Sequence, residues 1–527
     1  MGGRAGVRCA LPAALIACAC ACGAGTPASG AGTGVEPPRP TLRIVAMTDI
    51  EGMLEPCGCQ SRPLGGLDRA AALLSELRAD GVPTVFVAAG DTFSRPPSDA
   101  ATGVPGAPNA AAAADAADPT DDWRAETLSK ALVQMGLVDV ALGARDLAWV
   151  TRASSNGKRP LGTGSGTEPM LISEFGVRVG VFALDAGDAK AHPLAAETAV
   201  GQLRDGGADV VIGLYTGDAR TAHRIAGPGG TDFLLVGGLS ESTVRPPEQI
   251  GDTTLLHAGR HGHGMLVLDL VRRGHGLWSD ASEWTRERRR ATLDHRIANL
   301  ETRIVAWEQD SSVDSHDLDE QRSNLARLRA ERERIDQAAP GTGNVFFAHY
   351  LEIGPDRARD PDIAALLGAQ ARRVNAHNRD AFADVVPPPA AEGQPRYVGA
   401  EACRSCHERA FTAWRNHPHG AAYATLVRLD KQYHLECVGC HVTGFGAPGG
   451  AGVVRNEGLT DVGCESCHGP GSAHVEDPDA AGGIRRDAPA AVCTTCHDSE
   501  HSDLFDYAKY RAKIIAPGHG QAPAATP

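Results

Sequence analysis

The chain changes its hydrophobic texture three times. From Thr41 to about residue 275, short apolar runs recur: Leu42–Met47 leading to Asp49, Thr84–Ala89 leading to Gly90-Asp91, then Val138–Leu142, Val177–Leu184, Asp209–Leu214, Phe233–Val236 and Met265–Val271. Runs of this length and composition read as strands, and Leu67–Leu77 between the first two has helical spacing. Alternating strands and helices predict an α/β layered domain over residues 41–275. Residues 94–120, dominated by Ala, Pro, Gly and Asp, break the pattern and are expected to be a disordered insertion.

A second texture covers residues 282–337. Leu293, Ile297, Leu300, Ile304 and Trp307 recur at spacings of four and three, and Leu318, Leu325, Leu328 and Ile335 resume the stripe after a polar break. Two charged helices with one apolar stripe each predict an antiparallel hairpin. Residues 341–385 then read as a strand and a helix, and 386–395, with Pro387-Pro388-Pro389, as a linker. The third texture, residues 396–527, has little strand signal and is expected to be mainly α.

Composition narrows the classes. At 527 residues the chain exceeds one core, and a net charge of −14 argues against nucleic acid as a partner. Residues 1–22 combine Arg4 and Arg8 with a short apolar stretch, a secretion signal rather than a membrane span. Leu15-Ile16-Ala17-Cys18 resembles a bacterial lipoprotein box, which implies lipidation at Cys18; an ordinary cleaved signal peptide is the other reading. Residues 23–40 read as a flexible tether. The expected location is periplasmic, anchored to a membrane surface by acyl chains.

Cysteine placement carries the chemistry. Of 14 cysteines, eight form four Cys-x-x-Cys-His motifs: Cys403, Cys406, His407; Cys437, Cys440, His441; Cys464, Cys467, His468; Cys493, Cys496, His497. In each motif two thiols can form thioethers to the haem vinyl groups while the next His ligates iron from one face. Four such motifs predict four covalently bound c-type haems. The same region holds six further histidines, His417, His419, His434, His474, His501 and His519, as candidates for the far side of the irons. Cys57-Gly58-Cys59 is separate, and is either a soft-metal site, a reducible disulfide or a structurally inert pair.

Two resemblances sharpen these readings. Tyr397-Val398-Gly399, Trp414 through Pro418-His419, and Val462 through Gly471 around the third motif resemble the cytochrome c-554 family of tetrahaem cytochromes. That likeness implies packed haems with mostly two His ligands, and marks His419, His474 and His519 as distal ligands, with His417 the nearest competitor. For His434 and His501 a surface or haem-propionate contact is the alternative.

Asp49, the run Gly65-Gly66-Leu67-Asp68-Arg69 and Gly90-Asp91 resemble the metallophosphoesterase fold of 5'-nucleotidases. That family holds two metal ions at strand ends to activate water against a phosphate. Here its Asp-x-His stands as Asp49-Ile50-Glu51, its Gly-Asn-His-Glu as Gly143-Ala144-Arg145-Asp146, and its Gly-His-x-His as Gly237-Gly238-Leu239-Ser240. Asp49, Glu51 and Asp91 remain as candidates for one divalent metal. His257, His261 and His263 lie nearby as substitute imidazoles or as a solvated loop. The reading is an exported tetrahaem cytochrome that exchanges electrons with redox partner proteins. The alternatives are a metal-dependent phosphoesterase and a multihaem reductase of small nitrogen or sulfur species.

Overall fold

The computed structural model describes residues 38–56, 62–96, 119–155, 168–173, 176–239, 244–274, 276–310, 313–337, 343–479, 484–498, 502 and 504–515. Cys18, Cys57, Cys59, His501, His519 and most of the expected insertion lie outside these. Residues 40–527 form one compact unit.

Along the chain run β1 (Leu42–Thr48), α1 (Leu67–Arg78), β2 (Thr84–Gly90), α2 (Pro119–Gln134), β3 (Leu137–Leu142), α3 (Ala144–Ser155), β4 (Met170–Ile172), β5 (Val179–Leu184), α4 (His192–Asp205), β6 (Val210–Thr216), α5 (Ala219–Ala226) and β7 (Phe233–Gly237). After them come β8 (Glu248–Ile250), β9 (Thr253–Leu256), β10 (Gly264–Val271), β11 (Trp278–Asp280), α6 (Glu283–Glu308), α7 (Ser315–Gln337), β12 (Asn344–Glu352) and α8 (Pro361–Ala381). Two six-stranded sheets result, ordered β11-β12-β10-β1-β2-β3 and β4-β5-β6-β7-β9-β8.

The period-two alternation of strands decides the layers. Leu42, Ile44, Ala46, Val85, Val87 and Ala89 point inward and meet Val179, Val181, Val210, Ile212 and Leu235 from the second sheet. The opposite faces hold Val45, Met47, Phe86 and Ala88 against α1, α2 and α8, and Phe182, Val211 and Leu234 against α4 and α5. The domain is therefore a four-layer α-β-β-α sandwich, the α/β layered class expected. Where the sheets approach at their ends, only glycine fits. A Cβ on Gly237 would stand 2.3 Å from the Gly90 amide nitrogen, a backbone atom with no room to retreat.

The segment 341–385 is not a separate module. β12 pairs with β10 over eight residues and with β11, so it completes the first sheet. Ile363 and Leu367 of α8 enter the core beneath that sheet. The α/β domain thus extends to α8, and the hairpin is an excursion from it. In the hairpin, Leu293, Leu300, Ile304 and Leu328 form the buried seam, and Arg322–Glu308, Arg329–Glu301 and Arg332–Asp294 bridge the arms at 2.7, 2.6 and 3.0 Å. No helix among the described residues is long and apolar enough to cross a membrane.

Asp139 in β3 is buried with no ion pair among the described residues, and desolvation pushes its pKa up to about 6, aided by the charge of Asp185. The folded state therefore takes up a proton that the unfolded chain releases at lower pH. Its favourable contribution is complete below about pH 4 and is lost as pH rises through about 6. We expect Asp139→Asn to stabilise the α/β domain at about pH 7.5 by on the order of 2 kcal/mol and to be neutral near pH 4. Thermal unfolding at the two pH values, followed by circular dichroism, checks this; an equal shift at both contradicts it.

Candidate functional site

Each haem motif is a turn of helix or runs directly from one, at residues Ala400–Arg404, Leu435–Val438, Cys464–His468 and Ala490–Cys493. Helical spacing puts the first Cys, the second Cys three residues on and the His four residues on along one face. His407 N–H donates to Cys403 O, and His497 N–H to Cys493 O, both at 2.9 Å. None of the eight motif cysteines is in a disulfide. Cys403 lies against Cys464, and Cys467 faces Cys493 and Cys496. The third motif therefore sits between the first and the fourth.

The imidazoles are oriented for metal. His441 Nδ1 donates to Ala422 O at 2.7 Å and His468 Nδ1 to Arg485 O, while His497 Nδ1 lies 3.1 Å from Ser502 Oγ. A ligating His uses its second nitrogen in this way, which fixes the tautomer and leaves Nε2 for the iron. Two ring pairs lie close together: His407 with His474, and His419 with His497, each with centroids 6.2 Å apart and interplanar angles of 26° and 45°. An iron between two imidazoles needs about 6 Å, twice an iron–nitrogen bond of about 2 Å plus about 1 Å to each ring centre. Burial, with His417 and His497 nearby, brings the His419 pKa down to about 4, and burial also lowers that of His497. Both shifts favour the neutral ring, the form that ligates a metal. These residues fit c-type haem.

The two remaining described histidines have other tasks. His417 Nδ1 accepts from His419 N–H at 3.2 Å and caps the turn that presents His419. His434 Nε2 donates to Ala371 O of α8 at 3.0 Å. It belongs to a joint between the haem region and the α/β domain. Tyr433 N–H donates to Asn375 Oδ1 and Tyr433 O accepts from Asn378 Nδ2, both at 2.9 Å. Lys431 pairs with Glu55, and Glu436 with Arg95 and Arg124 at 2.5 and 2.7 Å. Glu436 immediately precedes Cys437, so the second motif is the one held against the α/β domain. Nothing in the composition of 431–436 signalled this joint.

At the strand ends of the α/β domain, Asp49, Glu51 and His261 all adopt left-handed backbone, with φ of 47°, 54° and 59°. Side chains other than glycine enter that region at a cost, and such strain collects at functional sites. Both Asp49 carboxylate oxygens accept from Gly238 N–H, at 2.9 and 3.1 Å. Arg145 Nη2 bridges Glu51 Oε1 at 2.9 Å and Asp91 Oδ2 at 3.1 Å, and its backbone N–H donates to Asp91 Oδ1. Arg260 Nη2 and His261 Nε2 each lie 2.7 Å from Glu51. Burial opposes ionisation of Glu51, but His261 and Arg260 outweigh it and bring the carboxyl down to about 2. Burial raises Asp49 to about 6. Asp146 is fully buried, pushed up to about 7 by burial, and accepts from the Thr92, Phe93 and Ser94 amides.

The residues present do not fit the expected divalent metal. Among the described residues no group of three or more His, Cys, Asp or Glu side chains is arranged to hold a metal ion. Asp49, Glu51 and Asp91 converge, but guanidinium groups stand among them. A dication about 4 Å from a guanidinium would be repelled by about 8 kcal/mol at an effective dielectric constant of about 20. His257 and His263 do not supply substitute ligands, since of the three histidines it is His261 that meets Glu51.

Comparison with known proteins points to the same part of the chain. Residues 402–469 match the cytochrome c554 and c-prime family. Cytochrome c-554 of Nitrosomonas europaea is 40% identical over 91 residues, 14% of this chain and 39% of that protein, so the chain spans about two fifths of that relative's length. Among solved structures, the Thermus thermophilus sulfate thiohydrolase SoxB is 13% identical with a TM-score of 0.37, covering 71% of this chain and 69% of that one. The calcineurin-like phosphoesterase YfkN of Bacillus subtilis is 14% identical with a TM-score of 0.37, covering 63% and 97%. The c554-type region begins just before the first motif and ends just after the third, and it includes His419.

From the two ring pairs, His474 and His419 are expected to hold two of the irons in six-coordinate, low-spin form. We expect His474→Ala and His419→Ala each to convert one haem per chain to high spin, visible by electron paramagnetic resonance of the ferric protein. His417→Ala should leave every iron low-spin that was so before. An unchanged spectrum for either of the first two variants contradicts the ring pairing.

Proposed function

We propose that this chain is an exported tetrahaem c-type cytochrome that transfers electrons, with its α/β domain as a docking and redox module. The observation that carries this reading is the pairing of His407 with His474 and of His419 with His497 at 6.2 Å. Two strong-field imidazoles in each pair would hold an iron from both faces, which favours one-electron transfer over binding of a substrate. The contiguity of the first, third and fourth motifs supports rapid exchange among three haems, and the second is the contact to the α/β domain.

The position of that contact supports a redox role for Cys57 and Cys59. Glu55, two residues before Cys57, pairs with Lys431, six residues before Cys437. Reduction of a Cys57–Cys59 disulfide takes two electrons and two protons, the electrons arriving singly as two ferrous haems become ferric and the protons coming from water. The N-terminal segment supports export, and diacylation at Cys18 would hold the protein at a membrane surface, where redox partner proteins reach the haems. The metal-dependent phosphoesterase reading is set aside, because Arg145 and Arg260 engage the carboxylates it needs.

Thiol trapping of the holoprotein across a series of applied potentials should show Cys57 and Cys59 passing together between alkylated and protected states. A pair that stays in one state at every potential excludes the redox role. For the anchor, Cys18→Ser should move the protein from the membrane to the soluble periplasmic fraction; an unaltered distribution argues for simple cleavage.

A further inference from the structure

The carboxylate cluster at the strand ends has a stand-in for the metal that its fold resemblance implies. Asp49, Glu51 and Asp91 have N–H or cationic neighbours within 3.1 Å: Gly238 donates to both Asp49 oxygens, Arg145 and Arg260 reach Glu51 Oε1, Arg145 reaches both oxygens of Asp91, and His261 Nε2 lies 2.7 Å from Glu51 Oε2. Three carboxylates face two guanidinium groups, so most of their charge is offset without a metal. Arg145 is the central member. It is the second residue of α3, and its backbone and side chain both bind Asp91, while its Nη2 alone spans the gap to Glu51.

The loops these residues occupy are also knitted by their backbones. Asp49 N–H donates to Ala89 O, Glu51 N–H to Asp91 O and His261 N–H to Asp49 O, at 2.9, 2.8 and 2.7 Å. The convergence of the three carboxylates therefore does not depend on Arg145 alone. With the Arg145 and Arg260 guanidinium groups removed, three carboxylate side chains would remain on a preformed backbone, which is the setting that hard divalent cations take.

We propose that Arg145 is a built-in replacement for a metal ion: its guanidinium plugs a latent divalent-cation site formed by Asp49, Glu51 and Asp91, and makes the α/β domain metal-independent. Arg260 and His261 complete the neutralisation from the β9–β10 loop. The domain keeps the strained loop geometry of a metal site and fills it with side-chain charge.

Mn2+ added to the haem-loaded full chain tests this, because the six-line resonance of free Mn2+ disappears as the ion binds. The wild-type protein should leave the Mn2+ signal unchanged up to millimolar concentration, and a chelator should not alter its thermal unfolding. Arg145→Ala combined with Arg260→Ala, which clears both guanidinium groups from Glu51, should remove one equivalent of free Mn2+ per chain, and adding Asp91→Asn should abolish that binding. If that double variant does not fold, Arg145→Met with Arg260→Met, which keeps the volume and removes the charge, takes the same measurement. Stoichiometric Mn2+ binding by the wild type that is lost in Asp91→Asn overturns the proposal. So does a folded double variant that binds no Mn2+.

Discussion

Glu436 is the joint on which the arrangement turns. Its carboxylate lies between Arg95 and Arg124 of the α/β domain, and the next residue is the first haem-bearing cysteine of the second motif. Each half-exposed ion pair of this kind contributes only about 0–1 kcal/mol. The joint holds because the pairs act alongside the Lys431–Glu55 contact and the Asn375, Asn378 and Ala371 hydrogen bonds to Tyr433 and His434, all within six residues. Many small contacts on one short segment fix a geometry that no single one would.

The same joint links the two halves chemically. Gly52 follows Glu51, and a Cβ there would meet Arg95 Cγ at 2.9 Å and Arg124 Cδ at 3.4 Å. The loop that carries the arginine-filled carboxylate cluster thus rests on the two arginines that hold Glu436. From Glu51 to Cys437 the path runs through the Gly52 backbone, Arg95 and Arg124, and Glu436. The α/β domain thereby seats the second Cys-x-x-Cys-His motif.

Much of this was legible in the sequence, and what was not has physical causes. The four haem motifs are legible because covalent attachment demands two thiols and an imidazole at fixed spacing. The strands β1, β2, β6, β7 and β10 are legible because burial on both faces leaves continuous apolar runs. The membership of β12 in the first sheet was not, since strand order depends on partners far apart in the chain. The likeness to a known family named His419 and His474 as ligands, but their partners His497 and His407 appear only once the helical turns pack. Arg145 was legible as a departure from a metal-site pattern, and its role became visible only with its distances to Glu51 and Asp91. Cys57 and Cys59 stood out as residues, and the joint beside Glu55 did not.

The central claim is that this chain is a reversible electron carrier with four haems, one of them seated on the α/β domain. Coulometric titration of the full-length protein, with the haem absorption bands recorded at each potential, tests it most directly. The account predicts four electrons per chain entering the haem bands in single-electron steps and leaving again on reoxidation. Fewer than four electrons, or bands that do not recover, would contradict it.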